Sequence, residues 1–407
     1  VSQSAAASSL ELRGPAFFDD PYPVYAALRS CGEPVFNRTM QSWIVTRYAD
    51  VEALLRDPRI SKKIGRATPT PFESSVLFLD PPDHGRIRGR LNQAFASLPQ
   101  NLDDRVRRIA DGLIDRMIAK RSVDFIQEFA LPLPVAVIAE VLGVPDADTA
   151  QLHAWSSEFI LEDDVDPADR ERRQYAAICG MERYFRELIA SGAAEGIIAS
   201  LSAADAAGSR LSAEELIGNC ILLMVAGHET TVNLLGNGLY LLLVEPDRLA
   251  RVRGDAKLLD SAIEEMLRFE SPVQLGTFRV AAEEVVIAGC TIAPGQMITA
   301  VIGAANRDPA QFANPDVFDL ARSPNRHLGF GFGPHRCIGA QLARAEARIG
   351  FARLLERLPH LALAVPPQGW LAAALGRLGL GPQGRPARPM WRQTAIARGL
   401  RELRISF

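Results

Sequence analysis

Paired cysteines are missing from this chain. Its 407 residues include five, at positions 31, 179, 220, 290 and 337, an odd number with no paired spacing. That excludes a disulfide framework and points to a reducing cytoplasm as the compartment. A surplus of charge is missing too. The net charge is −3 and the isoelectric point about 6.2, which argues against wholesale binding to nucleic acid or to an anionic membrane. The first ten residues lack the basic and apolar regions of a signal peptide. The most apolar stretch, Ile221 to Val244, is long enough to span a bilayer, but His228, Glu229, Asn233 and Asn237 interrupt it. Ionisable residues at mid-span are costly in lipid, so the stretch reads as a buried core helix and no membrane anchor is expected. No repeat of fixed period appears, and no flexible linker precedes the far C-terminal part. One domain over 1–407 is therefore expected, with 366–389, rich in Gly, Pro, Leu and Arg, as an atypical insertion or loop.

What the chain does have is apolar residues, 48% of the total against 23% charged, the balance of a globular protein with a sizeable core. Trp43 to Thr46 reads as a strand, followed by a short helix from Ala49 to about Arg56. From Leu102 to Phe269 nearly everything reads as helix. Strand signals return at Val285–Ile287 and at Met297–Val301, either side of the turn Ala293-Pro294-Gly295-Gln296. A last helix is expected over Ile338 to about Leu358, where Ile338, Leu342, Ala345, Ile349 and Ala352 recur at steps of four and three. The fold class is mainly α with minor β. Ser212 with Glu215 forms a capping box and Pro246 marks the far end of the longest helix, roughly 32 residues or about 48 Å. Inside it, Gly227, Thr230, Thr231, Gly236 and Gly238 are poorer helix formers than alanine. Such residues beside the ionisable pair His228-Glu229 mark a functional site.

Phe330-Gly-Phe-Gly-Pro-His-Arg-Cys337-Ile-Gly339 places three glycines, a proline and a cysteine immediately before a helix. Glycines let backbone bend closely around an object and aim N–H groups at it, and a helix start favours thiolate over thiol. The loop suits an anionic sulfur held against a cation such as iron. Taken alone it is equally compatible with an ordinary buried thiol in a turn.

This stretch resembles the heme-binding loop of the cytochrome P-450 family, Phe-x-x-Gly-x-x-x-Cys-x-Gly, with Phe330, Gly333, Cys337 and Gly339 on the patterned positions. The resemblance implies a heme b cofactor with O2 as co-substrate, Cys337 as the iron's axial thiolate, and Phe330 packed near the sulfur. Two further motifs follow the family's order. Glu265-Met-Leu-Arg268 matches Glu-x-x-Arg, and Arg322 in Phe318-Asp-Leu-Ala-Arg322 matches the third member of a buried structural group. Ala226-Gly227-His228-Glu229-Thr230-Thr231 carries the family's acid–alcohol pair on Glu229 and Thr230, a proton relay, with Gly227 leaving room for oxygen. No role is assigned to His228. The resemblance also implies His84, Arg88, Arg279 and His335 as partners of the heme propionates.

The resemblance extends from Asp20 to about Pro366 and implies a triangular-prism heme domain of the soluble bacterial type. It further implies electrons from a separate ferredoxin or similar donor with its reductase, and a monomer is expected. Arg105, Arg107, Arg108, Arg344 and Arg348 are candidates for the docking face, with solvated helix faces as the alternative reading. Expected pocket walls are the loop from Lys62 to Phe78, the helix positions Leu222, Val225 and Ala226, and the segment carrying Val273, Gln274, Leu275 and Thr277. These are mainly apolar, as binding pockets are, so the expected activity is monooxygenation of a small, mostly apolar molecule by hydroxylation or epoxidation. Desaturation, oxidative coupling and peroxide-driven oxidation remain open alternatives, and so does a heme-thiolate sensor without turnover.

Overall fold

A computed structural model describes residues 10–63, 70–99, 101–160, 165–205, 208–364 and 389–407. The segment 366–389 therefore lies, but for its last residue, outside the described residues. The longer helices are α1 (Asp83–Ala96), α2 (Leu102–Ile118), α3 (Pro132–Leu142), α4 (Thr149–Ser157), α5 (Pro167–Ala190), α6 (Ala213–Leu243), α7 (Lys257–Phe269) and α8 (Ala340–Arg357). The strands are β1 (Val35–Asn37), β2 (Ser42–Val45), β3 (Ile60–Ser61), β4 (Ser122–Asp124), β5 (Arg279–Ala281), β6 (Val285–Ile287), β7 (Cys290–Ile292), β8 (Met297–Ala300), β9 (Ala362–Leu363), β10 (Met390–Trp391), β11 (Leu400–Glu402) and β12 (Arg404–Ser406).

Helix α6 is the axis of the helical part. It starts as the sequence predicts: Ser212 Oγ accepts from Glu215 N–H at 3.1 Å, and Glu215 Oε2 accepts from Ser212 N–H at 2.9 Å. It is apolar on almost every side because α3, α5, α7 and α8 all pack around it. Fully burying each of its leucines stabilises by roughly 2 kcal/mol. Its glycines sit where neighbours cross closest. A side chain on Gly218 would meet Pro71 O at 2.1 Å, and one on Gly238 would meet Met266 Sδ at 2.5 Å. These poor helix formers are thus explained by close packing, a bland reason that the sequence alone does not reveal. Among the described residues no helix is long and apolar enough to cross a membrane.

The β part lies to one side. Its main sheet has the order β1-β2-β8-β5-β3, with β2 and β8 parallel (Ile44 opposite Thr299) and the other pairs antiparallel. A second sheet, β4-β12-β9, joins the C-terminus to the segment after α2, and β10 pairs with β11. The pairing of β3 with β5 brings Lys62 and Arg279 to one edge of the main sheet. Helix α8 begins at Ala340 with Gly339 as N-cap, two residues later than Ile338 and three beyond Cys337.

Candidate cofactor and active site

The loop ahead of α8 folds back on itself: Cys337 N–H donates to Phe330 O at 2.8 Å. Gly331 and Gly333 have φ of +69° and +70°, a region that costs other residues about 1–2 kcal/mol. At Gly333 a side chain would also meet Leu55 O at 2.5 Å, after the helix Tyr48–Leu54, whereas at Gly339 it would meet no protein atom within 4 Å. The Phe330 ring lies under the guanidinium of Arg344, 4.5 Å away. At the helix start the Gly339 N–H favours thiolate, as expected, but burial works the other way. Burial pushes the Cys337 thiol up, and the Gly339 N–H with the charges of Arg88, Arg336 and Arg344 only partly offset it.

Cys337 opens into a cavity. Its floor is the loop, with Phe330, Gly331 and Ile338, and its roof is one face of α6. That face carries Leu223, Ala226, Gly227, Thr230, Thr231 and Leu234, spaced by three and four. Val273, Gly276 and Thr277 form one side, and Leu77, Phe95 and Ile138 add apolar wall. Of the pocket walls expected from the sequence, Ala226, Val273 and Thr277 line this cavity, and so does Leu77 of the loop from Lys62 to Phe78, whose residues 64–69 lie outside the described residues. Leu222 and Val225 do not, because the roof is one register position away, at Leu223 and Ala226. Gln274 turns back into the protein, where its Nε2 donates to Ser271 O at 2.9 Å, and Leu275 packs in the N-terminal apolar cluster. Gly227 lines the cavity, but a side chain there would meet Ile138 Cγ1 at 2.6 Å, so its smallness serves the crossing of α3 rather than open space.

The acid–alcohol pair is split between two surroundings. Thr230 opens to the cavity, and its Oγ1 reaches Ala226 O at only 3.4 Å. Glu229, 3% exposed, faces away and accepts from Arg392 Nη1 at 2.8 Å. His228 is fully buried on a third side: Nδ1 lies 2.9 Å from Met224 O and Nε2 3.3 Å from Ser156 Oγ. Burial lowers its pKa, which keeps the ring neutral at pH 7.

A heme carries two carboxylates, which need cationic or hydrogen-bonding partners. The rings of His84 and His335 lie 4.2 Å apart. Arg88 bonds Arg336 O at 2.6 Å, and Arg279, buried, bonds Thr277 O at 2.7 Å. Burial lowers the pKa of all four, Arg279 to about 10 and His335 to about 3, the latter with help from the charges of His84, Lys62, Arg279 and Arg88. His84 Nε2 is buried without a partner. These side chains repel one another and leave a donor orphaned, a state that two carboxylates would relieve. The residues fit the cofactor.

Sequence reading missed two polar groups here. Lys62, named only as a loop boundary, is 1% exposed; a lysine beside another lysine reads as surface. Glu346 lines the cavity from α8, and its carboxyl is pushed up to about 8 by burial. Its position, four after Leu342 and three before Ile349 on the apolar face, was a signal available in the sequence.

Behind the loop, Glu265 and Arg268 are wholly buried and paired twice at 2.8 Å. Arg322 Nε adds bonds of 3.1 and 3.0 Å to the same carboxylate, and Arg268 also bonds Asn306 O, Pro315 O and Val317 O. Next along α7, Glu264 binds Arg344 and His327. Burial works upward on its carboxyl, but these bonds hold it down to about 2. Arg344 is thus paired with Glu264 while keeping part of its side chain exposed. Arg105, Arg107 and Arg348 are likewise paired, with Glu140, Asp104 and Asp103.

Comparison with known proteins agrees with this geometry. The family described as Cytochrome P450 matches residues 186–366. The cytochrome P450 monooxygenase PikC of Streptomyces venezuelae is 42% identical over 371 residues, 87% of this chain and 88% of that protein. The vitamin D(3) 25-hydroxylase of Pseudonocardia autotrophica is 41% identical, over 86% and 89%. Among solved structures, CYP109E1 from Bacillus megaterium in complex with testosterone matches at a TM-score of 0.86 with 30% identity, over 96% and 98%. P450BioI in complex with an acyl carrier protein bearing hexadec-9Z-enoic acid matches at 0.84 with 33% identity, over 96% and 99%. With identity of this level along almost its whole length, and a cysteine loop facing the Thr230 side of a long helix, the chain belongs to the cytochrome P450 family of heme-dependent, oxygen-incorporating oxidoreductases.

Proposed function

We propose that this chain inserts one oxygen atom from O2 into a small, mostly apolar molecule, by C–H hydroxylation or epoxidation, with electrons from a separate ferredoxin-type donor and its reductase. The observation that carries the reading is the cavity itself, with Cys337 on one side and the hydroxyl of Thr230 on the other, between apolar walls. Cys337 would hold the heme iron through its sulfur, and His84, Arg88, Arg279 and His335 would hold the propionates. Bound there, heme supplies dioxygen activation, which thiolate ligation favours. Glu265, Arg268 and Arg322 are structural and fix the backbone behind the loop.

The remaining steps belong to side chains. Leu223, Leu234 and Val273 exclude bulk water, so protons must arrive by a defined route. Thr230 Oγ1 gives its proton into the cavity and is resupplied through Glu229, which first has to turn from Arg392 and take up a proton from solvent. Such relays contribute about 100-fold or more to rate. Relatives whose ligands are a steroid or a long acyl chain fit the apolar lining found here.

The first test is the difference spectrum of the reduced protein with carbon monoxide. A strongly red-shifted Soret band is expected, and a band typical of histidine ligation would refute Cys337 as ligand. Thr230→Ala is then expected to keep that spectrum while the yield of product per electron falls about tenfold and peroxide rises. Unchanged coupling would refute the relay.

A further inference from the structure

His228 stands between Gly227 and Glu229 on α6, and nothing in the reading of the cavity uses it. It is fully buried. Its Nδ1 lies 2.9 Å from Met224 O. A carbonyl oxygen only accepts, so Nδ1 carries the ring's hydrogen and Nε2 is bare in the neutral ring. Two groups face Nε2: the hydroxyl of Ser156 at 3.3 Å and Glu229 Oε1 at 4.0 Å. Glu229 is itself sealed from solvent, 3% exposed, and its Oε2 is held by Arg392. An arginine does not give up its protons in a protein. Of the two basic groups at this carboxylate, only the imidazole can exchange one.

The surroundings of Nε2 suit both states of the ring. The Ser156 hydroxyl also lies 3.0 Å from His153 O, and it has one hydrogen to give. With His228 neutral, that hydrogen points to Nε2. With His228 protonated, it turns to His153 O, and Oγ accepts from Nε2–H instead. Ser156 belongs to α4, three residues after His153, whose ring meets His228 edge-on with centroids 5.5 Å apart. His153 is half-buried, and its Nε2 lies 3.2 Å from Ser157 Oγ. The two imidazoles thus form a line from the partly exposed flank of α4 to the carboxyl beside Thr230. Burial lowers the pKa of both, and the charge of Glu229 partly offsets it; at His228, His153 and Arg392 add to the lowering. Each ring is therefore neutral at pH 7 and a ready acid once protonated.

We propose that His228, fed by His153, is the group that protonates Glu229 for delivery to Thr230. The proposal rests on the relay reading of Glu229 and Thr230. One proton moves. His153 takes it from water and passes it to His228 Nε2, which releases it from the same nitrogen to Glu229 Oε1. Both rings end neutral, and only N–H and O–H bonds are made and broken. A small turn of the carboxyl or a single water closes the 4.0 Å gap. His228 acts through Glu229 and is a positioning residue for the proton.

The test needs no substrate. Reduced holoenzyme is mixed with O2, frozen, given one further electron by irradiation and annealed, while EPR reads how fast the oxygen complex takes up a proton. His228→Asn keeps a donor for Met224 O but has no nitrogen that can take a proton. His153→Gln removes the feeding ring, and His360→Gln, at an exposed position, is the control. The parent is expected to take up its proton faster when frozen from pH 6 than from pH 8, because more imidazole is protonated beforehand. His228→Asn and His153→Gln should each slow uptake about tenfold or more and lose the gain at pH 6. His360→Gln should match the parent. A parental rate in either of the first two variants would overturn the proposal. So would a slowed rate that keeps the gain at pH 6, since His228 would then only hold Glu229 in place. If His228→Asn does not fold, His153→Gln decides by the same two readings. Glu229→Gln at the parental rate would instead sink the relay reading, which separates the two failures.

Discussion

Glu346, at the wall of the cavity, is a buried carboxyl with Oε2 lacking any hydrogen-bond partner. Burial raises it from 4.5 to about 8, and the sign of the consequence follows from proton counting. Between pH 4.5 and 8 the unfolded chain has released this proton while the folded chain keeps it, so stability falls as pH rises through that window. By pH 8 the penalty is on the order of 4 kcal/mol. Glu346→Gln removes the titration and keeps the shape. Urea denaturation of both proteins at pH 5 and pH 8 should show near-equal stability at pH 5 and a clear advantage for the glutamine at pH 8. An advantage independent of pH would mean that Glu346 is ionised in the native state. The contrast with Glu264 and Glu265 is instructive, since those two carboxylates are held by arginines whereas Glu346 has none.

At the scale of elements, the cysteine loop shows which glycines the fold itself requires. Gly333 combines φ of +70° with an approach of 2.5 Å to Leu55 O, and Gly339 shows neither strain nor crowding. Gly333→Ala is expected to cost about 2 kcal/mol or more and to lower heme occupancy with it. Gly339→Ala should leave the unfolding free energy from urea denaturation within about 1 kcal/mol of the parent and reduce heme occupancy selectively, the cofactor being all it can crowd. Equal losses at both positions would refute the distinction. What the sequence made legible follows the same divide. The start of α6, the strands at β6 and β8 and the order of the motifs were readable because capping boxes, turns and periodicity are local. Leu222 was expected where Leu223 stands because one helical position is 100° of rotation, and only the packing of α3 and α7 fixes which face looks down. Gln274 was expected in the cavity because nothing local shows which way a residue in an irregular segment turns. The propionate partners were legible through resemblance alone. They come from β5, α1 and the loop before α8, and beyond the i,i+4 step from His84 to Arg88 no spacing within the chain relates them.

Over the whole molecule, the two ends of the chain meet behind the site. Arg398 Nε bonds Glu270, just past α7, while its other nitrogens bond Phe18 O at 2.8 Å and Asp19 O at 3.2 Å. Its guanidinium stacks 3.6 Å from the Trp391 ring centroid, and Asn237 of α6 donates to Arg398 O at 2.9 Å. One buried side chain therefore joins the N-terminal segment, the end of α7 and the C-terminal strands, and the same C-terminal segment supplies Arg392 to Glu229. Removing one partner of a buried pair leaves the other charge uncompensated, at about 3–5 kcal/mol. Because Arg307 and the Tyr22 hydroxyl also meet Glu270, Arg398→Met is expected to lower the unfolding free energy by the lower end of that range, about 3 kcal/mol, read from urea denaturation. Because Arg398 contacts neither Cys337 nor Thr230, the carbon monoxide band of the folded fraction should keep its position. A shifted band at unchanged stability would mean that the C-terminal segment acts on the site by moving α6, and that its role is positional rather than one of holding the chain together.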